Sequence, residues 1–237
     1  MTKEIHPPKA KKIPKELEIH GDKRTDDYFW MNERDNPEVL DYLHAENAYY
    51  EKMTAHTKSF REDLFREMKS RIKLDDESVP FKQNGYWYYV RYEENGDYPI
   101  YCRKKDHLQN KEEIMFNVNE MAKPHDFFKL GGLSISPDNK RAVFAVDTLG
   151  RRQYALQVKN LSTGEIYADK IENTVGGAAW ANDSRTFFYA RKDEKTLRSD
   201  KIYRHSLGQK DEDQLIYHEK DETFSVGVAR SKSRQFI

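Results

Sequence analysis

Ile135-Ser136-Pro137-Asp138-Asn139-Lys140-Arg141-Ala142-Val143-Phe144-Ala145 returns 45 residues later as Trp180-Ala181-Asn182-Asp183-Ser184-Arg185-Thr186-Phe187-Phe188-Tyr189-Ala190. Each copy has an apolar residue, a short turn containing Asp, a basic residue, and an apolar strand that ends in Ala. A second pair follows. Tyr154 through Leu161 matches Lys201 through Leu207, with the leucines 46 residues apart, and Gly164 and Gly208 mark the turns after them. A third copy begins at Val228-Ala229-Arg230-Ser231-Lys232-Ser233-Arg234-Gln235-Phe236-Ile237. A period of ~40–50 residues built from four short strands is the pattern of a β-propeller blade, a small sheet that buries its faces only by stacking on its neighbours. Asp138 and Asp183 are read as turn residues, because an Asp side chain accepts hydrogen bonds from nearby backbone amides and holds a hairpin.

The period-two pattern extends toward the N-terminus. Gly85-Tyr86-Trp87-Tyr88-Tyr89-Val90-Arg91-Tyr92, the turn Glu94-Asn95-Gly96-Asp97, and Pro99-Ile100-Tyr101-Cys102-Arg103 read as hairpins of aromatic and β-branched residues joined at Asn-Gly. From residue 79 to residue 237 there is room for about three and a half blades of ~45 residues, whereas propellers have 4–8. The third copy stops as its strand begins, which predicts an unpaired sheet edge and an incomplete propeller.

Before residue 79 the pattern differs. Residues 1–35 read as extended and irregular, with Pro7, Pro8 and Pro14 opposing a helix. Asn36-Pro37-Glu38 is a helix start: an N-cap, a proline at the first position and an acid at the positive end of the dipole. A helix follows through Tyr50, with Leu40, Leu43, Asn47 and Tyr50 on one face. A second helix is predicted over 57–73, where Phe60, Leu64, Met68 and Ile72 fall four apart with Phe65 beside them, a packing stripe that requires a partner surface. The fold class is therefore mainly β: an extended N-terminal segment and two α-helices over 1–75, then a partial β-propeller of four-stranded blades over 76–237.

The chain has 41 Lys+Arg and 41 Asp+Glu, so no net field draws it to nucleic acid or an anionic membrane. Its 12 Phe, 15 Tyr and 3 Trp argue for a folded core despite 35% charged residues. Cys102 is the single cysteine, so no intrachain disulfide and no multi-cysteine zinc site forms. No segment approaches the ~18 apolar residues of a membrane span, and a cytoplasmic protein is expected.

Motifs for chemistry are absent. No two of the 11 glycines lie four apart, which excludes G-x-S-x-G, and neither a P-loop nor H-E-x-x-H occurs. The eight histidines have no ligand spacing. Gly131-Gly132 reads as a close turn before a strand. No catalytic residue, metal site or cofactor is predicted.

The chain resembles the oligopeptidase B family, within the prolyl oligopeptidase group of serine peptidases. The resemblance rests on Pro7-Pro8, Lys12 through Pro14, His20 through Met31, Asn36 through Leu43 with Glu46-Asn47, Met121 through Asp138, Leu149 through Tyr154, Val158 through Gly164, and Arg204-His205. It implies a seven-bladed propeller over an α/β-hydrolase domain that carries the Ser, Asp and His of the triad, none of which lies in this chain. It further implies cleavage of short basic peptides after Lys or Arg, exclusion of large folded substrates by the propeller, and packing of residues 1–75 on the hydrolase domain. Asp147, Arg151 and Arg152 lie in a loop within one blade; from the residues alone it reads as a solvated charged loop, since exposed ion pairs contribute little, while the resemblance implies that it faces the catalytic domain and forms interdomain salt bridges or holds a substrate carboxylate. The alternative is a free-standing propeller-like module that binds a protein partner.

Overall fold

The N-terminal sequence forms more structure than its prolines suggest. In the computed structural model, which describes residues 5–209 and 211–237, β1 (Lys15–Ile19) and β2 (Asp22–Asp26) make an antiparallel hairpin. The segment expected to be irregular is thus partly a strand pair. Its signal is His20-Gly21, where both residues take positive φ, 53° and 79°, the backbone of a tight hairpin turn whose twist matches that of the strands. A single 3₁₀ turn, Phe29–Asn32, buries Trp30, whose indole N–H donates to Lys11 O at 2.9 Å.

Helix α1 (Pro37–Thr54) starts as its sequence dictates: the Asn36 side chain accepts from Glu38 N at 2.9 Å and Pro37 occupies the first turn. Its one buried residue is Val39; Leu40, Leu43 and Tyr50 are exposed. Helix α2 (Lys58–Ser70) is shorter than predicted, and Phe60, Leu64, Phe65 and Met68 are all exposed, as is Ile72 beyond its end. These elements belong to one compact unit, Met1–Lys73; the rest of the chain, Leu74–Ile237, is a second.

The second unit is built of antiparallel sheets. Strands β3 (Phe81–Gln83), β4 (Tyr86–Arg91), β5 (Ile100–Lys105) and β6 (Glu112–Asn117) pair in sequence order as the first blade. The tight Asn-Gly turn of this blade is Asn84-Gly85, with φ of 47° and 81°. Asn95-Gly96, predicted for that role, sits in a wider loop. The Asn119 side chain there bonds Tyr98 N and O at 2.9 and 2.8 Å and so holds the loop in place.

Helix α3 (Val118–Ala122) leads to β7 (Lys129–Ile135), β8 (Arg141–Asp147), β9 (Tyr154–Asn160) and β10 (Ile166–Trp180). Strand β10 is 15 residues long. Its first half pairs with β9 and its second half with β11 (Thr186–Lys192), which continues to β12 (Ser199–Ser206) and β13 (Gln214–His218). The second and third blades are therefore one continuous ladder. The repeat is visible in its register: Leu133↔Phe144, Ser134↔Val143 and Ile135↔Ala142 recur as Ala178↔Tyr189, Ala179↔Phe188 and Trp180↔Phe187.

Strand β8 shows why the repeat is apolar on both faces. Ala142 and Phe144 pack toward the first blade with Tyr88, Met115 and Phe116. Val143 and Ala145 pack the other way, with Leu156, Trp180, Phe187 and Tyr189. A strand between two blades has no solvent face, so the usual polar alternation is lost.

Gly131-Gly132 is not a turn; it lies inside β7. A Cβ on Gly131 would stand 2.7 Å from the Tyr154 ring, and one on Gly132 would stand 2.1 Å from Gly176 O. The pair recurs 45 residues later as Gly176-Gly177. Glycine is there because the second blade's inner strand meets the backbone of the third.

The turns between first and second strands share one backbone form. Asn84, Asn139, Ser184 and Arg234 all have positive φ, between 47° and 62°, and Ser231 N bonds Phe236 O at 2.9 Å as Ser136 N bonds Arg141 O. The third copy thus forms its turn.

Candidate functional site

Strand β8 runs from the Asp138 turn to the loop 148–153, at the opposite end of the second blade. Asp147, the last residue of β8, is 1% exposed. Its Oδ1 accepts from Leu149 N at 2.9 Å and Gly150 N at 3.0 Å, and its Oδ2 from Arg152 N at 2.8 Å. The carboxylate therefore sits inside the loop and fixes its backbone. Gly150 and Arg152 have φ of 76° and 55°, and the loop is closed from the third blade by Lys192 Nζ, which donates to Arg152 O at 2.6 Å.

Arg151 and Arg152 are exposed. Among the described residues neither guanidinium has a hydrogen-bond or ion-pair partner. The structure thus separates the three residues that the sequence grouped. Asp147 shapes the loop from within; the two arginines stand out from it.

A cleft of ≈ 530 Å³ opens beside this loop. Met121, Phe128, Val146 and Leu149 give it an apolar floor and rim, and Gln153 and Gln157 reach it from β9 and its approach. Gln153, Ala155 and Gln157 share a face because side chains alternate along a strand, and Tyr154, Leu156 and Val158 take the opposite face into the core. Lys170 and Glu172, paired at 2.6 Å, complete the wall. Leu149 is 70% exposed. No motif in the sequence marks these residues. The one local signal is the Asp at the strand end, repeated as Asp193.

His205, one of the histidines without ligand spacing, is buried, with Nδ1 2.7 Å from Asp213 Oδ1 and Nε2 2.9 Å from Asp169 Oδ1. Asp169 lies on β10 and Asp213 just before β13, so this cluster ties the second blade to the third. No group of side chains that would hold a metal ion occurs among the described residues, and no helix among them is long and apolar enough to cross a membrane.

Comparison with known proteins places this architecture. Residues 7–237 match the family model for the N-terminal β-propeller domain of prolyl oligopeptidase. Dipeptidyl aminopeptidase BI of Pseudoxanthomonas mexicana is 38% identical over 98% of this chain and 35% of its own length. Protease 2 of Moraxella lacunata is 35% identical over 97% of this chain and 34% of its own. Among solved structures, oligopeptidase B from Leishmania major superposes with a TM-score of 0.85 at 31% identity, over 94% of this chain and 34% of that one. The chain spans about a third of the length of these relatives.

Proposed function

The chain belongs to the prolyl oligopeptidase family, and from that premise we propose that it is the propeller-bearing part of a serine oligopeptidase of the oligopeptidase B type, one that cuts short peptides after Lys or Arg in the cytoplasm. The similarity to Protease 2 and to oligopeptidase B along nearly the whole chain carries this reading. The reaction is acyl transfer by a Ser-His-Asp triad in an α/β-hydrolase domain beyond these residues, since no G-x-S-x-G occurs in them. The chain alone is therefore inactive. Its blades admit short or flexible peptides and exclude large folded proteins. The exposed stripe of Phe60, Leu64, Phe65 and Met68 packs on the hydrolase domain, and Arg151 and Arg152 serve that domain's interface or the substrate.

The test is twofold. The genomic reading frame beyond Ile237 is expected to continue into G-x-S-x-G, and a stop codon there with no such frame favours the stand-alone binding module. The 237-residue chain is expected to leave a fluorogenic Arg-ended reporter uncleaved, and turnover free of contaminants overturns the assignment of chemistry to another domain. The 38% identity to a protein named a dipeptidyl aminopeptidase supports a second reading, release of dipeptides from amino termini. Mass spectrometry of the products from the longer protein separates the two: internal cuts after Lys or Arg, or successive dipeptides.

A further inference from the structure

We propose that His205, with Asp169 and Asp213, is a proton-dependent latch on the seam between the second and third blades. It is closed while both ring nitrogens carry a proton and is released as rising pH removes one.

The hydrogen bonds require the charged ring. Nδ1 lies 2.7 Å from Asp213 Oδ1, and Nε2 lies 2.9 Å from Asp169 Oδ1. An ionised carboxylate only accepts, and a neutral imidazole has one N–H and one lone pair. Whichever tautomer it takes, a neutral ring sets its lone pair against a carboxylate oxygen at one end. The imidazolium donates at both ends. Charge points the same way. The side chains of His205, Asp169 and Asp213 are 7%, 8% and 11% exposed. Two carboxylates so withdrawn from water require a compensating cation. Among the described residues no Lys or Arg pairs with either one. Their other partners are neutral: Gly208 N at Asp169, and the Tyr189 hydroxyl and the Gln209 amide at Asp213.

The surroundings leave His205 as the group that changes between neutral and alkaline pH. Asp169 comes from β10, Asp213 from the residue before β13, and Tyr189 from β11. Burial, then the Asp213 carboxylate beside it, holds the Tyr189 phenol far above its ordinary value, so it stays a donor. Arg191, also on β11, stands beyond that hydroxyl, at 3.4 Å from it. The Phe187 ring, 5.0 Å from the imidazole, brings no charge. Lys170 and Arg204, next in sequence to Asp169 and His205, take the opposite faces of their strands. Asp169 lies in the outer strand of the second blade, and Asp213 leads into the outer strand of the third. Loss of the proton turns one of these contacts repulsive and loosens the outer part of the seam. The folded chain thus binds a proton that the unfolded chain does not need, and stability falls as pH rises.

The test is urea unfolding of the 237-residue chain and of Asp169→Asn, from about pH 6.5 to about pH 9.5. The amide introduced at 169 donates to Nε2 and lets a neutral ring fit. The unfolding constant of the chain is expected to rise with pH more steeply than that of the variant. The excess approaches about tenfold per pH unit, the limit for one proton. A contact without a proton requirement separates the two curves by a constant amount, so parallel curves overturn the proposal. A second measurement stands if the variant does not fold. In 15N spectra of the folded chain one histidine ring is expected to stay doubly protonated to about pH 8. An unprotonated nitrogen in every ring at that pH overturns the proposal. Neither measurement reads peptidase activity, so failure here is distinct from failure of the peptidase reading.

Discussion

The loop 148–153 of the second blade and the loop 193–198 of the third occupy equivalent places, and they spend the same residue types differently. Asp147 precedes the first and Asp193 opens the second, and both place a non-glycine residue at positive φ, Arg152 at 55° and Leu197 at 58°. Asp193 accepts from Lys195 N at 3.0 Å, Thr196 N at 2.8 Å and the Thr196 hydroxyl at 3.0 Å. Asp147 makes its equivalent bonds in the interior. The cations part further. Arg198 donates to the carbonyls of Glu219, Asp221 and Phe224 at 3.2, 3.1 and 2.7 Å and so holds the segment after β13. Among the described residues the Arg151 and Arg152 guanidinium groups hold nothing. One loop turns its charge to structure and the other leaves it free, which is why the second blade, and not the third, carries the candidate site.

The largest effect is expected where the two blades touch. Gly132→Ala drives a Cβ into Gly176 O, and backbone cannot swing aside; we expect a loss of about 3 kcal/mol in urea unfolding, the upper range for overpacking. Gly177→Ala, the equivalent change in the third blade, has nothing within 4 Å of its Cβ and should leave the midpoint nearly unchanged. Similar losses in both would mean that the blades do not meet at this glycine.

Next comes the pair of loop carboxylates. Asp147→Ala strands three part-buried amides, at about 1–3 kcal/mol for an unsatisfied group, partly relieved by water; a total of about 2–3 kcal/mol is expected. Asp193→Ala should cost less, because its partners reach solvent. Asp193 also carries a pH signature. The Thr196 amide, then the Lys195 amide and Thr196 hydroxyl, hold its carboxyl below the ordinary range. The folded value lies below the unfolded one, so its contribution is present above the unfolded value and fades as pH falls through the folded one. Asp193→Asn should flatten the acid limb of stability measured against pH, and an unchanged limb would break the comparison.

The smallest effects separate the arginines. Arg198→Ala removes bonds to three carbonyls and should cost about 1–2 kcal/mol. Arg151→Ala and Arg152→Ala should stay within about 0.5 kcal/mol, as for surface positions without partners. Thermal melts of the three variants check this; a large loss at Arg151 or Arg152 would make them structural.

Much of the fold is legible in the sequence. The 45-residue echo of Ile135–Ala145 in Trp180–Ala190 reappears as the same strand register, and Asp138 and Asp183 hold their turns by accepting from the Lys140 and Arg185 amides at 3.1 and 2.9 Å. The site is less legible. Asp147, Arg151 and Arg152 read as one charged group because nothing local says that the first is buried. Gly131-Gly132 reads as a turn because its reason, Gly176 O, lies 44 residues away from Gly132. His20-Gly21 is a local turn signal that the prolines before it, Pro7, Pro8 and Pro14, obscure.

The sequence by itself determined the strand period, the turn residues and the blade repeat, because alternation and turn chemistry act over a few neighbouring residues. Only the tertiary structure decided which charges are spent and which are free. A side chain's partners come from other strands and other blades, and whether Asp147 meets amides or Arg198 meets carbonyls is settled by packing rather than by spacing.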